Sequence, residues 1–346
     1  MLTSIRIRNL KQLEDVELEL GNNVVLIGPN NSGKTTALQA LSLWHTGLKE
    51  WLAKREGRSP QKRAGVAVNR KDLLAMPVPS SDLLWRNLKV RHTSSGRGPH
   101  TRQRRFVRIE ILVRGISNDS QWECGLEFEY ANPESLYCRP LRSADGQEAV
   151  MGVPPQASEV KIAFLPPMSG LTLSEDRLGR GSVNRLIGEG RTAEVLRNLC
   201  YVISSDPEKQ VEWEKIREYI NRMFYVKLND PQHDTATGII DMTYIDHSST
   251  TLDLSASGRG MLQVLLLLTY LYVNPGSVLL LDEPFSALDD ETRSTVRDLV
   301  GALTARHAWH TILVSHHIED VAALASRRYG LRGGQLAAIH ARCSGQ

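Results

Sequence analysis

The chain of 346 residues is 41% hydrophobic and 23% charged, with a formal net charge of +3, the profile of a folded globular protein long enough for one elaborated domain or two. A balance so near neutral excludes a uniformly basic polyanion binder, so any basic surface has to be local. Cys124, Cys138, Cys200 and Cys343 are widely spaced and form no C-x-x-C pair, which argues against a zinc site and a disulfide framework and for a reducing, cytoplasmic setting.

The start, MLTSIRIRNLK, lacks a signal-peptide apolar core. TSIRI (3–7) and DVELEL (15–20) read as strands separated by the turn NLKQ, and VVLI (24–27) as a buried strand feeding the loop GPNNSGKTT (28–36) and a helix to about Trp51. From residue 54 to about 105, Gly, Pro, Ser, Arg and Lys dominate; residues 49–108 hold sixteen Lys/Arg against four Asp/Glu. That excess suits nucleic acid or an acidic partner chain, and equally a solvated loop. FVRIEILVRGI and QWECGLEFEYA are expected as a strand pair, and VKIAFLPP (160–167) as a strand ended by its prolines. Helical patterns fill 181–223, with no heptad run long enough for a coiled coil. GIIDMTYI (238–245) reads as a strand and VLLLLTYLYV from Val264 as a buried helix, since it has about half the length a bilayer requires; no membrane insertion is expected. VLLLDEP (278–284) and TILVSHH (311–317) then read as buried strands flanking the helix ETRSTVRDLVGALTARH, and RRYGLRGGQLAAI as a hairpin turning at Gly333-Gly334.

GPNNSGKT matches G-x-x-x-x-G-K-[ST] between a strand and a helix, the context its mechanism needs. Gly28 and Gly33 let the backbone of Asn30, Asn31, Ser32 and Thr36 wrap phosphates, Lys34 neutralises their charge, and the Thr35 hydroxyl suits Mg2+. In VLLLDEP, Asp282 at the strand end suits the same ion and Glu283 a general base. Two acids capping a strand before a proline would look the same, but not beside a P-loop.

FSALDDE (285–291) and ILVSHH (312–317) follow at close spacing. P-loop, DEPxxxLD and strand-terminal histidine together resemble the ATP-binding-cassette (ABC) ATPase superfamily. The resemblance implies that Ala287, Leu288 and Asp289 form a D-loop at a dimer interface and that His316 contacts the γ-phosphate, with His317 the second choice. It also requires a signature before the helix that precedes DEP. LSASGRGMLQ (254–263) stands there and departs from LSGGQ; Ser257, Gly258 and Gly260 align with its serine–glycine core, with Ser255 as the substitute. A plain helix cap is the alternative.

Lys34 and Ser257 lie 223 residues apart, about twice the distance in a transporter cassette, so structure is inserted between them. The opening IRIRNLKQLEDVELELGNNVVLIGPNNSGKTT resembles RecF, SMC and OLD-type ATPases, which implies Arg8, Asn9 and Lys11 near the nucleotide; Leu10 stands where an aromatic is common. The expected fold is therefore α/β, a P-loop NTPase with an ABC-ATPase-like mixed sheet flanked by helices. Its expected parts are 1–53 with the P-loop, a basic insert at 54–105, a β-rich part at 106–180, a helical segment and strands at 181–249, and the signature to switch-histidine part at 250–346. ATP and Mg2+ are the implied cofactors, and a homodimer or higher oligomer sandwiching ATP the implied assembly. The inserts look most like those of antiphage ATPases of Septu or retron systems, which implies a separate nuclease or toxin effector chain and a role near DNA or RNA. The alternatives are a RecF-like repair ATPase and a transporter ATP-binding subunit, for which FLPPMSG (164–170) is the weak Q-loop candidate. No Toprim D-x-D pair is expected. NRKD (69–72) departs from the guanine motif N-K-x-D, and of His307, His310, His316 and His317 the first pair closes a helix and the second ends a strand, which argues against a metal cluster.

Overall fold

The computed structural model describes residues 1–55, 65–93, 104–141, 152–317, 324 and 326–338. In chain order the first half contains β1 (Leu2–Leu10), β2 (Leu13–Glu19), β3 (Asn23–Ile27), α1 (Lys34–Arg55), β4 (Val66–Asn69), β5 (Arg91–Thr93), β6 (Arg104–Phe106), β7 (Ile109–Ser117), β8 (Ser120–Asn132), β9 (Ser135–Pro140), α2 (Pro155–Ser158) and β10 (Ile162–Leu165). The second half adds α3 (Arg180–Gly188), α4 (Leu196–Ser204), α5 (Gln210–Phe224), β11 (Lys227–Leu228), β12 (Gln232–His233), β13 (Ile240–Asp241), β14 (Thr243–Ile245), β15 (Thr251–Asp253), α6 (Arg259–Val273), β16 (Val278–Asp282), α7 (Asp290–His307), β17 (His310–Ser315), β18 (Arg327–Arg332) and β19 (Gln335–Ala338).

Alternating residues give the first strands one wet and one dry face, and they assemble with β7–β9 into an antiparallel sheet ordered β2-β1-β7-β8-β9-β4. The turn between β7 and β8 holds Asn118 and Asp119 at φ 50° and 56°, left-handed values that match a tight hairpin. A second sheet, ordered β10-β16-β17-β3-β18-β19, is parallel except for its last strand. Its central strands are continuous apolar runs because both faces are covered. Val24, Leu26, Leu280, Ile312 and Val314 point into a core shared with α1 and the antiparallel sheet. Val25, Leu279, Leu281 and Leu313 point the other way, against α4, α5 and α6. Helix α1 is thus walled on two sides: Trp44 donates its indole N–H to the Cys124 carbonyl at 3.0 Å, and a Cβ on Gly47 would meet the Phe128 ring at 2.7 Å.

Parts of the expected basic insert are core. Val68, Leu73, Met76, Leu84 and Trp85 are buried, and Trp85 donates to the Val107 carbonyl at 2.8 Å; the sparse apolar residues of that stretch suffice to anchor it. Most of the basic stretches KREGRSPQKR and RHTSSGRGPHTRQRR, namely 56–63 and 94–103, lies outside the described residues. GIIDMTYI is not one strand. It breaks at buried Met242, whose carbonyl takes the Leu254 N–H, so that β13 and β14 pair with different neighbours. The hairpin at Gly333 and Gly334 forms with φ 58° and 76°. Among the described residues no helix is long and apolar enough to cross a membrane.

Candidate functional site

Strand β3 ends at Ile27 and the chain turns through 28–33 into α1. The turn demands glycine: Gly28 has φ 154° and a Cβ there would lie 2.2 Å from the Leu331 carbonyl oxygen, while Gly33 has φ 103° with the Leu13 side chain 2.9 Å from a Cβ. Asn31 completes the turn at φ 60°. Lys34 is buried and its ammonium donates to the carbonyls of Gly28 at 2.8 Å and Pro29 at 3.0 Å. Burial pushes this ammonium below its ordinary value, opposed by Glu283 and Asp282. Ser32 Oγ is buried with no hydrogen-bond partner among the described residues. A loop with glycine-shaped clearance, a buried cation and an orphaned hydroxyl fits an incoming phosphate chain.

Thr35 Oγ1 donates to Asp282 Oδ2 at 2.8 Å, joining the loop to the end of β16 across 247 residues. Burial raises the Asp282 carboxyl, opposed first by this hydroxyl and then by Lys34. Hydroxyl and carboxylate are hard oxygen donors, the set Mg2+ takes with phosphate oxygens and water. One residue on, Glu283 adopts φ 52° with its N–H on the Val314 carbonyl at 3.0 Å. Left-handed backbone is costly for a non-glycine residue, of order 1–3 kcal/mol. It turns Glu283 toward His316, whose Nε2 lies 2.8 Å from Glu283 Oε1. His316 Nδ1 lies 3.4 Å from the Lys34 ammonium and 3.1 Å from the Gly28 carbonyl. Burial and then Lys34 hold the imidazole below its usual value, so a neutral ring stands with Nε2 toward the Glu283 carboxylate and Nδ1 toward Lys34 and the Gly28 carbonyl. His317 faces solvent, with its backbone N–H on Ser315 Oγ. P-loop, Asp282, Glu283 and His316 enclose one cavity of about 260 Å3.

Two other residues line that cavity: Gln12, which no expectation named, and Pro167, which lies in the weak Q-loop candidate FLPPMSG. Gln12 follows the β1 turn, where Asn9 and Lys11 have φ 56° and 48°. The three residues expected from that turn do not line the cavity. Arg8 is paired with Asp15 at 3.0 Å and Glu110 at 3.2 Å, Asn9 donates to the Arg108 carbonyl, and Lys11 to Gln39. Asp15 stands seven residues from Arg8 across the β1–β2 pair, whereas Glu110 is 102 residues away, so sequence spacing conceals the second acid. Pro167 follows β10, which ends at Leu165 just before the two prolines.

The stretch expected to form a D-loop is held by Gln263, a buried polar residue in the apolar helix α6. Its Oε1 accepts the Ala287 N–H at 2.7 Å, and its Nε2 reaches the Glu283 carbonyl at 3.3 Å. A lone glutamine inside MLQVLLLL was the available signal. Leu288 is buried, Ala287 is exposed, and the Asp289 carboxylate caps α7 by accepting from Thr292 N and Oγ1 at 2.9 and 2.7 Å. Ser257 donates to the Leu254 carbonyl at 2.7 Å, exposed Ser255 follows the Asp253 turn, and α6 starts at Gly258 without a side-chain cap. None of residues 255–260 lines the P-loop cavity of the same chain.

Behind the signature stretch sits a buried charge. Arg197 on α4 is 1% exposed; it donates to the Thr172 carbonyl at 2.9 Å and to Asp253 at 3.0 Å, with Glu175 at 3.9 Å. Glu175 in turn accepts the N–H groups of Arg197 and Asn198 at 2.9 and 3.1 Å. Arg197→Met should cost about 3–5 kcal/mol by stranding a buried carboxylate. Urea unfolding tests this, and a loss within error of zero would mean that Glu175 is satisfied by backbone alone.

Residues 1–50 match the family of AAA ATPase domains. Local stretches match importer ATP-binding proteins: the aliphatic sulfonates import ATP-binding protein SsuB 1 of Pseudomonas syringae is 46% identical over 72 residues, 21% of this chain and 30% of that protein. SsuB 1 of Nocardia farcinica is 45% identical over 65 residues, 19% and 26% respectively. The chain thus spans less than a third of these relatives. Its mostly parallel sheet flanked by helices, with the glycine-rich loop between β3 and α1, is a P-loop NTPase fold. Solved structures similar to this fold include the SMC head domain from Thermotoga maritima, at 12% identity and a TM-score of 0.48 over 98% of this chain and 99% of that one. An SMC head bound to the C-terminal winged-helix domain of ScpA gives 15% and 0.49 over 98% and 97%; likeness at this level adds nothing to the argument from the site.

Proposed function

We propose that this ATPase binds ATP with Mg2+ at the P-loop, hydrolyses it with Glu283 as base, and dimerises so that each signature stretch completes the site of the other chain. The observation that carries the reading is the Thr35–Asp282 hydrogen bond with His316 set between Glu283 and Lys34, which draws three sequence-remote motifs into one cavity. Bound ATP–Mg2+ supplies the electrophilic phosphorus and the ion's neutralising charge. Lys34, released from loop carbonyls, holds phosphate oxygens; Thr35 and Asp282 hold the ion. Glu283 accepts a proton from water, and His316 fixes its carboxylate. Gly258 and the uncapped start of α6 offer N–H groups, and Ser257 a hydroxyl, to an anion on the facing chain, and Ala287, Leu288 and Asp289 lie beside them at the interface.

Nucleotide-controlled dimerisation then serves a nucleic-acid-directed process in the cytoplasm, with a separate nuclease or toxin chain as effector in an antiphage setting; the local basic excess of residues 49–108 supports a polyanion nearby. Purifying the native complex and identifying its other chains tests this. Local identity to importer ATP-binding proteins favours a second reading as a transporter subunit, and co-purification with a membrane protein would select it.

Lys34→Ala should weaken ATP binding about ten- to a hundredfold, since charge-assisted hydrogen bonds contribute about 1.5–3 kcal/mol. Equilibrium binding of a fluorescent ATP analogue checks this, and near-normal affinity would remove the P-loop assignment.

A further inference from the structure

We propose that a second cleft, between α1 and α3, binds a small organic anion of mononucleotide size and so forms an effector site separate from the P-loop. The cleft has a volume of about 550 Å3 and shares no lining residue with the P-loop cavity. That volume falls in the range of small-molecule sites.

Its floor is one face of α1: Ser42, His45, Thr46, Lys49 and Glu50 recur at three- and four-residue spacing. Ser42 is 9% exposed, and its Oγ is buried with no hydrogen-bond partner among the described residues. A buried hydroxyl without a partner is uncommon in a folded protein and marks a place where a polar group fits. Two cations stand at the rim, Lys49 and Lys71, and neither has an ion pair among the described residues. The other rim charges are largely engaged: Glu50 pairs with Lys54 at 2.8 Å and Arg185 with Glu189 at 3.3 Å, leaving Asp72 as the opposing acid. The first turn of α3 borders the cleft at Gly181, and its N-cap Gly179 makes no side-chain cap, so N–H groups add to the positive side. Phe164, Ile187 and Leu74 supply an apolar wall, and Asn184 a polar edge. At one end the wall is closed: a Cβ on Gly188 would meet Leu74 Cβ at 2.4 Å. Two free cations and helix N–H groups suit a phosphate; the wall and the orphaned hydroxyl suit a planar body with a hydrogen-bonding edge.

The regulatory half of the proposal rests on the ATPase reading. Two elements run from this cleft to the candidate ATP site and a third to the proposed signature stretch. Helix α1 begins at Lys34, β10 ends two residues before Pro167, and α6, whose Tyr270 and nearby Asn274 border the cleft, begins just after Ser257. A ligand that fills the cleft therefore bears on the P-loop helix and the signature helix together.

Calorimetric titration of AMP into the Lys34→Ala protein isolates the second site. One saturable AMP site per chain is expected, weakened at least tenfold when Lys49→Glu and Lys71→Glu are added, with inorganic phosphate binding more weakly than AMP. Both lysines are exposed, and unchanged ATP affinity of K49E/K71E in the otherwise natural chain controls for folding. AMP should also change ATP turnover of the natural chain and leave that of K49E/K71E unaltered. Absence of saturable AMP binding at millimolar concentration, or binding indifferent to the two lysines, overturns the site. Phosphate binding as tightly as AMP overturns the nucleotide-sized ligand. AMP binding in a chain that never hydrolyses ATP would keep the site and reject the ATPase reading.

Discussion

Turnover in Glu283→Gln falls by about two to four orders of magnitude, the loss expected when a positioned general base is removed, while ATP affinity stays near that of the natural chain. Glutamine keeps the shape and the contact to His316 Nε2, now 2.8 Å from the carboxylate, yet cannot take a proton. Glu283 holds φ 52°, a conformation that glutamine adopts as readily as glutamate, so the expected lesion is chemical. Binding without hydrolysis should make the dimer accumulate, read as an ATP-dependent shift in size-exclusion chromatography. Unchanged turnover would place the base elsewhere. His316→Ala should also slow hydrolysis and His317→Ala should not, because only His316 reaches Glu283 and Lys34.

Ser257→Arg should abolish ATP-dependent dimerisation and leave single-chain ATP binding intact. No residue of 255–260 borders the P-loop cavity of its own chain, so a bulky charge there has no direct route to that cavity. Its natural hydroxyl contact is the Leu254 carbonyl at 2.7 Å, within its own turn, so losing it costs only about 1 kcal/mol. Mixing this chain with Lys34→Ala is the stringent form. One composite site of the mixed dimer then carries neither lesion and the other carries both, and ATPase activity should partly return. Normal dimerisation by Ser257→Arg alone would reject the placement of the signature and turn attention to Ser255.

Local motifs were readable because their physics is local. Gly28 and Gly33 are demanded by the turn itself, and the apolar runs at 24–27, 278–281 and 311–314 could only be strands covered on both faces. The hairpin at Gly333 and the helix-start position of Ser257 follow from the same short-range rules. What escaped was long-range pairing. Arg8 lies close to the loop in sequence, but its guanidinium is claimed by acids on β2 and β7. Gln12, three residues past Asn9, takes a place on the cavity because the turn reverses between them. Gln263 and Arg197 are polar residues in apolar helices whose partners come from separate segments, and no spacing rule links them. GIIDMTYI reads as one strand until Leu254 takes the carbonyl at its centre.

The two-sided enclosure of α1 offers a way to sort variants of this protein. With sheets on both sides and the Phe128 ring against Gly47, the helix has little freedom to slide, so damage in its middle should appear first in the melting temperature, with nucleotide affinity lost only as the whole domain unfolds. A variant that weakens ATP binding at an unaltered melting temperature must then act at the loop, at the strand ends or at His316. Measuring both quantities for a random library would separate lesions of the framework from lesions of the chemistry, without a structure of any single variant.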